Sequence, residues 1–283
     1  MFRKNTKASD TASPQPMAAL ADLHVLYEQA VQDVEAEINF VEQTWAELRQ
    51  RPAVVLREDF CGTANTACEW VIRDDNHHAI GVDLDSDVLN WGRLNRLSQL
   101  DEEQLKRIEL LNEDVAQTCP GQVDIILAMN FSYYLFMKRQ ELRDYFINVL
   151  DGLVSDGILF LDAYGGYEAP MVLTESRECQ DEDGNKFTYI WEQASFNPID
   201  SSMNCQIHFE FPDESRIDHA FDYCWRLWTL PEIREILYEA GFSKVDIYWE
   251  GTDEEQNEGN GIYTPSEIGD ADPGWVCYIV CQA

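Results

Sequence analysis

The run Val54-Val55-Leu56-Arg57-Glu58-Asp59-Phe60-Cys61-Gly62-Thr63-Ala64 carries the first chemical signal. An apolar strand pattern leads into acids, then a turn of small residues, then a helical pattern. Such a turn needs a residue without Cβ where backbone approaches a ligand, and Gly62 supplies it. About twenty residues later, Gly81-Val82-Asp83-Leu84-Asp85 puts Asp83 at the end of a second apolar strand. A carboxylate there can accept both ribose hydroxyl protons of a nucleoside, while Asp85 and Ser86 are free to cap the next helix. Asn112-Glu113-Asp114-Val115 follows a third strand, and Met129-Asn130-Phe131-Ser132-Tyr133-Tyr134 a fourth. All four runs fall at the carboxyl ends of expected parallel strands, the edge where open α/β sheets bind ligands.

Taken together, these runs resemble the motifs of class I S-adenosylmethionine-dependent methyltransferases of the small-molecule type. The usual first motif is apolar-Asp/Glu-x-Gly-x-Gly-x-Gly. Glu58 takes its acidic position and Gly62 its middle glycine, and Cys61-Gly62-Thr63 matches the common core of the turn. Phe60 and Ala64 stand where the outer glycines usually are. The resemblance covers residues 53–165 and 229–283. It implies S-adenosyl-L-methionine as cofactor, held by Glu58, Phe60, Cys61, Gly62, Ala64, Asp83, Leu84, Asp114, Val115, Asn130 and Phe131. It further implies that the acid after the third strand meets the adenine amino group, and that residues after the fourth strand face the methyl group.

Methyl transfer from a sulfonium is an in-line displacement, so such an enzyme chiefly positions and desolvates its acceptor. A hydroxyl or ammonium acceptor also needs a base. Asp162 and Tyr164 after the fifth strand, and His208 farther on, are the candidates; Tyr133 reads equally as a core aromatic or an active-site group. Trp191, Trp225 and Arg226 are expected to wall or orient the acceptor, and the region of Tyr27 to close over the site. Arg57 lies within the first strand, where an unpaired charge is costly. It is read as paired with an acid such as Glu69, with the cofactor's carboxylate as the alternative.

The elements that must position these residues alternate. A helical segment over residues 18–48 precedes the first strand, and residues 1–17 read as a disordered leader. Strands at 53–58, 78–83, 108–111, 123–129 and 157–163 alternate with helices, which argues for a parallel sheet covered on both faces. After Gly165-Gly166 the period changes to two: Phe187 to Trp191, then Cys205, Ile207, Phe209 and Phe211, then Phe221, Tyr223, Trp225 and Leu227. Residues 166–228 therefore form an antiparallel β insert, read as a substrate cap. Asp181-Glu182-Asp183-Gly184-Asn185 is a hairpin turn, lacking the spacing of a calcium loop. Thr229-x-x-Glu232 opens another helix, residues 251–274 read as an acidic loop, and the last two strands pair antiparallel. The expected fold is a Rossmann-like, mostly parallel sheet of seven strands with helices on both faces, plus the insert.

The chain of 283 residues carries a formal charge of −33, which repels nucleic-acid phosphate and anionic membranes and leaves a neutral or cationic small molecule as the easier acceptor. The 8 cysteines include no Cys-x-x-Cys pair, and no metal site is signalled. With no apolar leader evident, a cytoplasmic protein with reduced thiols is expected. Three rival readings share the pattern. A nicotinamide oxidoreductase would need the G-x-G-x-x-G glycines, which Phe60 to Asn65 lack. A cofactor-binding regulatory protein and a protein methyltransferase stay open, because fold alone does not fix function.

Overall fold

The structure, a computed structural model, describes residues 15–181, 184–253 and 258–283. The expected leader thus falls largely outside the described residues, as do Glu182 and Asp183 of the 181–185 turn. The N-terminal helical segment is broken into α1 (Met17–Leu20), α2 (Leu23–Val31) and α3 (Val34–Leu48). The breaks coincide with capping acids. Asp22 accepts N–H bonds at the start of α2, and Asp33 does so at the start of α3.

Then follow β1 (Val55–Asp59), α4 (Asn65–Arg73), β2 (His78–Asp83), α5 (Ser86–Asn95), α6 (Glu102–Leu105), β3 (Ile108–Asn112), β4 (Val123–Ala128), α7 (Arg139–Gly152) and β5 (Leu153–Gly165). Strands β1 to β5 pair in parallel in the order β3-β2-β1-β4-β5. Every residue of β4 is buried, as a central strand covered on both faces requires. After the insert come α8 (Leu230–Ala240), β10 (Lys244–Asp253), β11 (Glu258–Pro265) and β12 (Trp275–Gln282). The capping box of Thr229 and Glu232 starts α8, and Gly241, at φ 114°, ends it. β12 joins the sheet antiparallel to β5, and β10 antiparallel to β12.

Among the described residues the large sheet has eight strands rather than seven. The eighth is β11, which lies within the run expected to be loop and pairs antiparallel with β10 at the sheet's edge. Its sequence, Glu-Gly-Asn-Gly-Ile-Tyr-Thr-Pro, lacks apolar alternation because an edge strand needs only a backbone partner on one side. Ile233, Ile236 and Leu237 of α8 pack with Leu142, Phe146 and Val149 of α7 on one face. Ile38, Val41 and Trp45 of α3 pack with Ala67, Cys68 and Val71 of α4 on the other.

The insert is an antiparallel sheet in the order β6 (Leu173–Gln180), β7 (Lys186–Asn197), β8 (Ser202–Glu210) and β9 (Arg216–Arg226). β6 is again a polar edge strand without an apolar pattern. The apolar face of the insert is shared between two covers. Met203, Cys205 and Trp225 join the main core. Phe187, Ile207 and Phe209 pack instead on Leu26 and Ala30 of α2. The N-terminal helix therefore links the insert to the large sheet.

Candidate active site

Strand β1 ends in a turn with three left-handed residues, Phe60 at φ 57°, Gly62 at φ 53° and Ala64 at φ 61°. Non-glycine residues in that region cost about 1–2 kcal/mol each, so hydrogen bonds must hold the turn. Cys61 N–H donates to Val82 O at 3.0 Å, Ala64 N–H to Cys61 O at 2.8 Å, and Gly62 N–H to Asp83 Oδ2 at 2.8 Å. Among the described residues no atom lies within 4 Å of a Cβ placed on Gly62, so the backbone there faces open space. On the other side the turn is packed tight: a Cβ on Gly92 of α5 would stand 2.4 Å from Thr63 O.

Glu58 lies beneath this turn. Its Oε2 accepts from Ala67 N–H at 2.9 Å, in the first turn of α4, whose own N-cap Ala64 has no side chain to offer. Burial pushes Glu58 up to about 8. It caps α4 from the strand and does not reach a cavity wall. Cys61 is likewise turned inward, with its Sγ beside Gly81, and Ala64 is fully buried, so these two present only backbone to a ligand.

Five of the expected cofactor residues meet around one cavity of ≈ 420 Å³: Phe60, Asp83, Leu84, Asp114 and Val115, joined by Asp85, Leu135 and Phe136. Asp83 is held rigidly, its Oδ1 accepting from Asp85 N–H at 2.8 Å. Asp114 accepts from Ala116 N–H at 3.0 Å and Gln117 Nε2 at 3.0 Å. Leu84 is 72 % exposed on the rim, an apolar surface without a protein partner.

Asn130 and Phe131 belong to a second, larger cavity of ≈ 800 Å³ between the sheet edge and the insert. Tyr27 of α2, Tyr164 of β5, and Trp191 and Trp225 of the insert also line it. The rings interlock, with Tyr223 and Trp225 4.5 Å apart and Phe131 and Tyr164 4.8 Å apart. The run from Asn130 to Phe136 thus separates the two cavities, with its first residues on one and its last on the other.

Several expected roles are corrected. Asp162 is not placed to act as a base: its two oxygens accept from Asn130 N–H at 2.7 Å and Phe131 N–H at 2.9 Å. It pins two residues of positive φ, 57° and 55°, and burial pushes it up to about 7. Tyr133 is fully buried, its hydroxyl donates to Asp162 O at 2.8 Å, and burial raises it well above the usual phenol range. His208 leaves the site altogether. Ile207 faces the cavity, whereas His208, on the opposite face of β8, contacts Glu192 through Nε2 at 3.1 Å and accepts from His219 N–H at 3.1 Å through Nδ1. Arg226 is a tie between insert and α8: it donates to Glu232 at 3.0 Å and its guanidinium lies 3.7 Å from the Trp228 ring centre. Arg57 pairs with Asp59, not Glu69, at 2.6 and 2.9 Å, and Tyr145 donates to Asp59 at 2.8 Å. Glu69 is taken by Arg73.

Sequence reasoning passed over Glu28. Its buried carboxylate accepts from Thr63 Oγ1 at 2.5 Å and from Arg96, tying α2 to the turn. Leu135 and Phe136 were also missed; their signal was their place directly after the fourth motif.

No protein-family model matches the chain, and no curated protein matches it in sequence. Solved structures do match. A S-adenosylmethionine-dependent methyltransferase from Clostridium acetobutylicum is 16 % identical, with a TM-score of 0.65 over 91 % of this chain and 96 % of that one. An amino pentose methyltransferase from Micromonospora echinaspora, involved in calicheamicin biosynthesis, is 14 % identical, with a TM-score of 0.65 over 92 % and 95 %. A sugar N-methyltransferase from Streptoalloteichus is 14 % identical, with a TM-score of 0.60 over 100 % and 98 %. The chain therefore has the Rossmann-like fold of class I S-adenosylmethionine-dependent methyltransferases, carrying an antiparallel insert after the fifth strand. Among the described residues no helix is long and apolar enough to cross a membrane, and no cluster of side chains could hold a metal ion.

Proposed function

We propose that the protein transfers a methyl group from S-adenosyl-L-methionine to a small-molecule acceptor. The observation that carries this reading is the pair of cavities at the carboxyl edge of the parallel strands, with the run from Asn130 to Phe136 lining both. The smaller cavity has the chemistry of a nucleoside site. Asp83 takes the ribose hydroxyls and Asp114 the adenine amino group, while Phe60, Leu84 and Val115 offer apolar surface to the base. Bound there, the cofactor supplies a methyl group already activated on a sulfonium. The open backbone at Gly62 leaves room for the ligand to lie across the end of β1.

The larger cavity takes the acceptor. Trp191, Trp225, Tyr27 and Phe131 exclude water and fix its position, which is the main demand of an in-line displacement. Tyr164 lines the same cavity, and its hydroxyl donates to Met203 Sδ at 3.0 Å, so it orients rather than accepts a proton. The charge of −33 favours a neutral or cationic acceptor, and the unpaired cysteines suit a reducing, cytoplasmic setting.

The test is thermal shift and calorimetry with S-adenosylhomocysteine, NAD and NADP, followed by a turnover screen of small amines, hydroxyl compounds and carboxylates. S-adenosylhomocysteine is expected to raise the melting temperature and the nicotinamides to leave it unchanged. Binding of a nicotinamide with no response to S-adenosylhomocysteine overturns the reading. Tight cofactor binding without turnover of any small acceptor or protein favours a regulatory role.

A further inference from the structure

Glu37 is a buried carboxyl group with no task in the site as described. It stands in the first turn of α3 and is 8 % exposed. Among the described residues its Oε2 is buried without a hydrogen-bond partner, which few native side chains tolerate without a reason.

Its surroundings supply one. Register along the sheet runs Glu58 to Leu127, Leu127 to Phe160, and Asp162 to Tyr278. Residues two apart on a strand share a face. Glu58, Phe160, Asp162 and Tyr278 therefore project from one face of the sheet, the face that α3 covers. Phe40, one turn beyond Glu37, stacks on Tyr278 with ring centres 4.3 Å apart, which fixes Glu37 at the last rung of that face. The charges that act most strongly on Glu37 are those of Asp162 and Glu58. Both are committed to backbone N–H groups on either side: Glu58 to Ala67 behind the β1 turn, and Asp162 to Asn130 and Phe131 in the partition. Arg57 projects from the opposite face and is taken by Asp59. The three carboxyl groups thus share one covered face of the sheet between the β1 turn and the partition, and among the described residues Glu37 Oε2 has no hydrogen-bond partner. A metal ion is not the missing partner, since no group of ligating side chains among the described residues could hold one.

We infer that Glu37 Oε2 receives a hydrogen bond from the α-ammonium of the cofactor's amino-acid tail. The inference rests on the cofactor reading above. With the adenosine among Asp83, Asp114 and Leu84 and the methyl group directed to the larger cavity, the tail runs from the end of β1 toward the partition, along the face from which Glu58 and Asp162 project. An ammonium there gives the orphaned oxygen a donor and offsets the crowding of negative charge.

The test is calorimetry on the full chain with two ligands, S-adenosylhomocysteine and its analogue lacking the α-amino group. The parent protein is expected to bind the deaminated analogue about 10- to 150-fold more weakly, the range for a hydrogen bond involving a charged group. Glu37→Gln is expected to lose a similar factor for S-adenosylhomocysteine and nothing further for the analogue. Glu37→Asp, which keeps the charge on a shorter arm, is expected to fall between, and it stands in if Glu37→Gln does not fold. Equal binding of the two ligands by the parent overturns the inference while leaving the cofactor reading intact. So does an equal loss for both ligands in a folded variant, which marks a merely structural residue. Failure of the parent to bind either ligand overturns both readings.

Discussion

Removing Asp59 is the sharpest test of how the turn after β1 is supported. Arg57 and Asp59 are both fully buried, two residues apart on one face of β1, and joined by bonds of 2.6 and 2.9 Å. Among the described residues Arg57 Nη1 has no hydrogen-bond partner, and beyond Asp59 the guanidinium has only a long bond from Nη2 to Val115 O at 3.4 Å. In Asp59→Ala the positive charge stays buried and uncompensated, which costs about 3–5 kcal/mol. Tyr145 also loses the oxygen that accepts its hydroxyl proton. For a chain of this size each kcal/mol lowers the melting temperature by roughly 2–4 °C, giving a loss of roughly 6–20 °C. The measurement is thermal unfolding followed by circular dichroism, with the double variant Arg57→Met, Asp59→Leu alongside. Apolar replacement of both partners is expected to recover much of the loss, because it removes the buried charge along with its counter-ion. A melting temperature for Asp59→Ala within 2 °C of the parent would refute the reasoning, as would a double variant that adds the two single losses.

Asp83→Ala is expected to weaken S-adenosylhomocysteine binding about 10- to 150-fold in calorimetry, the worth of a charged hydrogen bond of roughly 1.5–3 kcal/mol, while the chain stays folded. An unchanged dissociation constant leaves Asp83 as a mere anchor for Gly62. Trp191→Ala should lower turnover of the acceptor far more than cofactor affinity, whereas Arg226→Ala should chiefly lower the melting temperature. The opposite assignment of the two effects would show that the acceptor wall has been misplaced. Burial holds Glu58 at about 8 and Asp162 at about 7, both above the ordinary carboxylate range. The folded state therefore binds more protons than the unfolded state between the ordinary values and these. That stabilisation is full below the unfolded values and is lost as pH rises through 7 and 8. Unfolding free energy should fall from pH 6 to pH 9, and Glu58→Gln should flatten the curve; an identical slope in the variant counts against the assignment.

What could be read from the sequence was governed by periodicity and capping. The central strands announce themselves by short, mostly apolar runs, and Asp85 and the Thr229–Glu232 pair announce the helices they cap. Phe60, Asp83, Leu84, Asp114 and Val115 come together because strand ends of a parallel sheet share one edge. Edge strands β6 and β11 stay hidden, since only backbone pairing holds them. The partner of Arg57 is legible in the period of two, which puts Asp59 and not Glu69 on the same strand face. His208 follows the polar alternation of β8 faithfully, but which face meets the cavity depends on how the insert is seated. Glu28 and Glu37 look like the wet side of amphipathic helices. Both are buried, because α2 and α3 are covered on a second side by the turn and by the end of the sheet.

The position of α2 also sets an order on assembly during synthesis. Its Glu28 meets Thr63 and Arg96, partners that leave the ribosome early. The helical segment's other anchors come much later: Met17 N–H donates to Asp213 and Ala18 N–H to Ser215, 196 and 197 residues along the chain. At about 5–20 residues per second, that interval is roughly 10–40 s. Strand β1 and its turn are thus synthesised long before the strands of the insert that α2 also packs against. The wall that Tyr27 shares with Trp191 and Trp225 is therefore completed only once the insert has been made, after the β1 turn, Asp83 and Asp114 have already emerged.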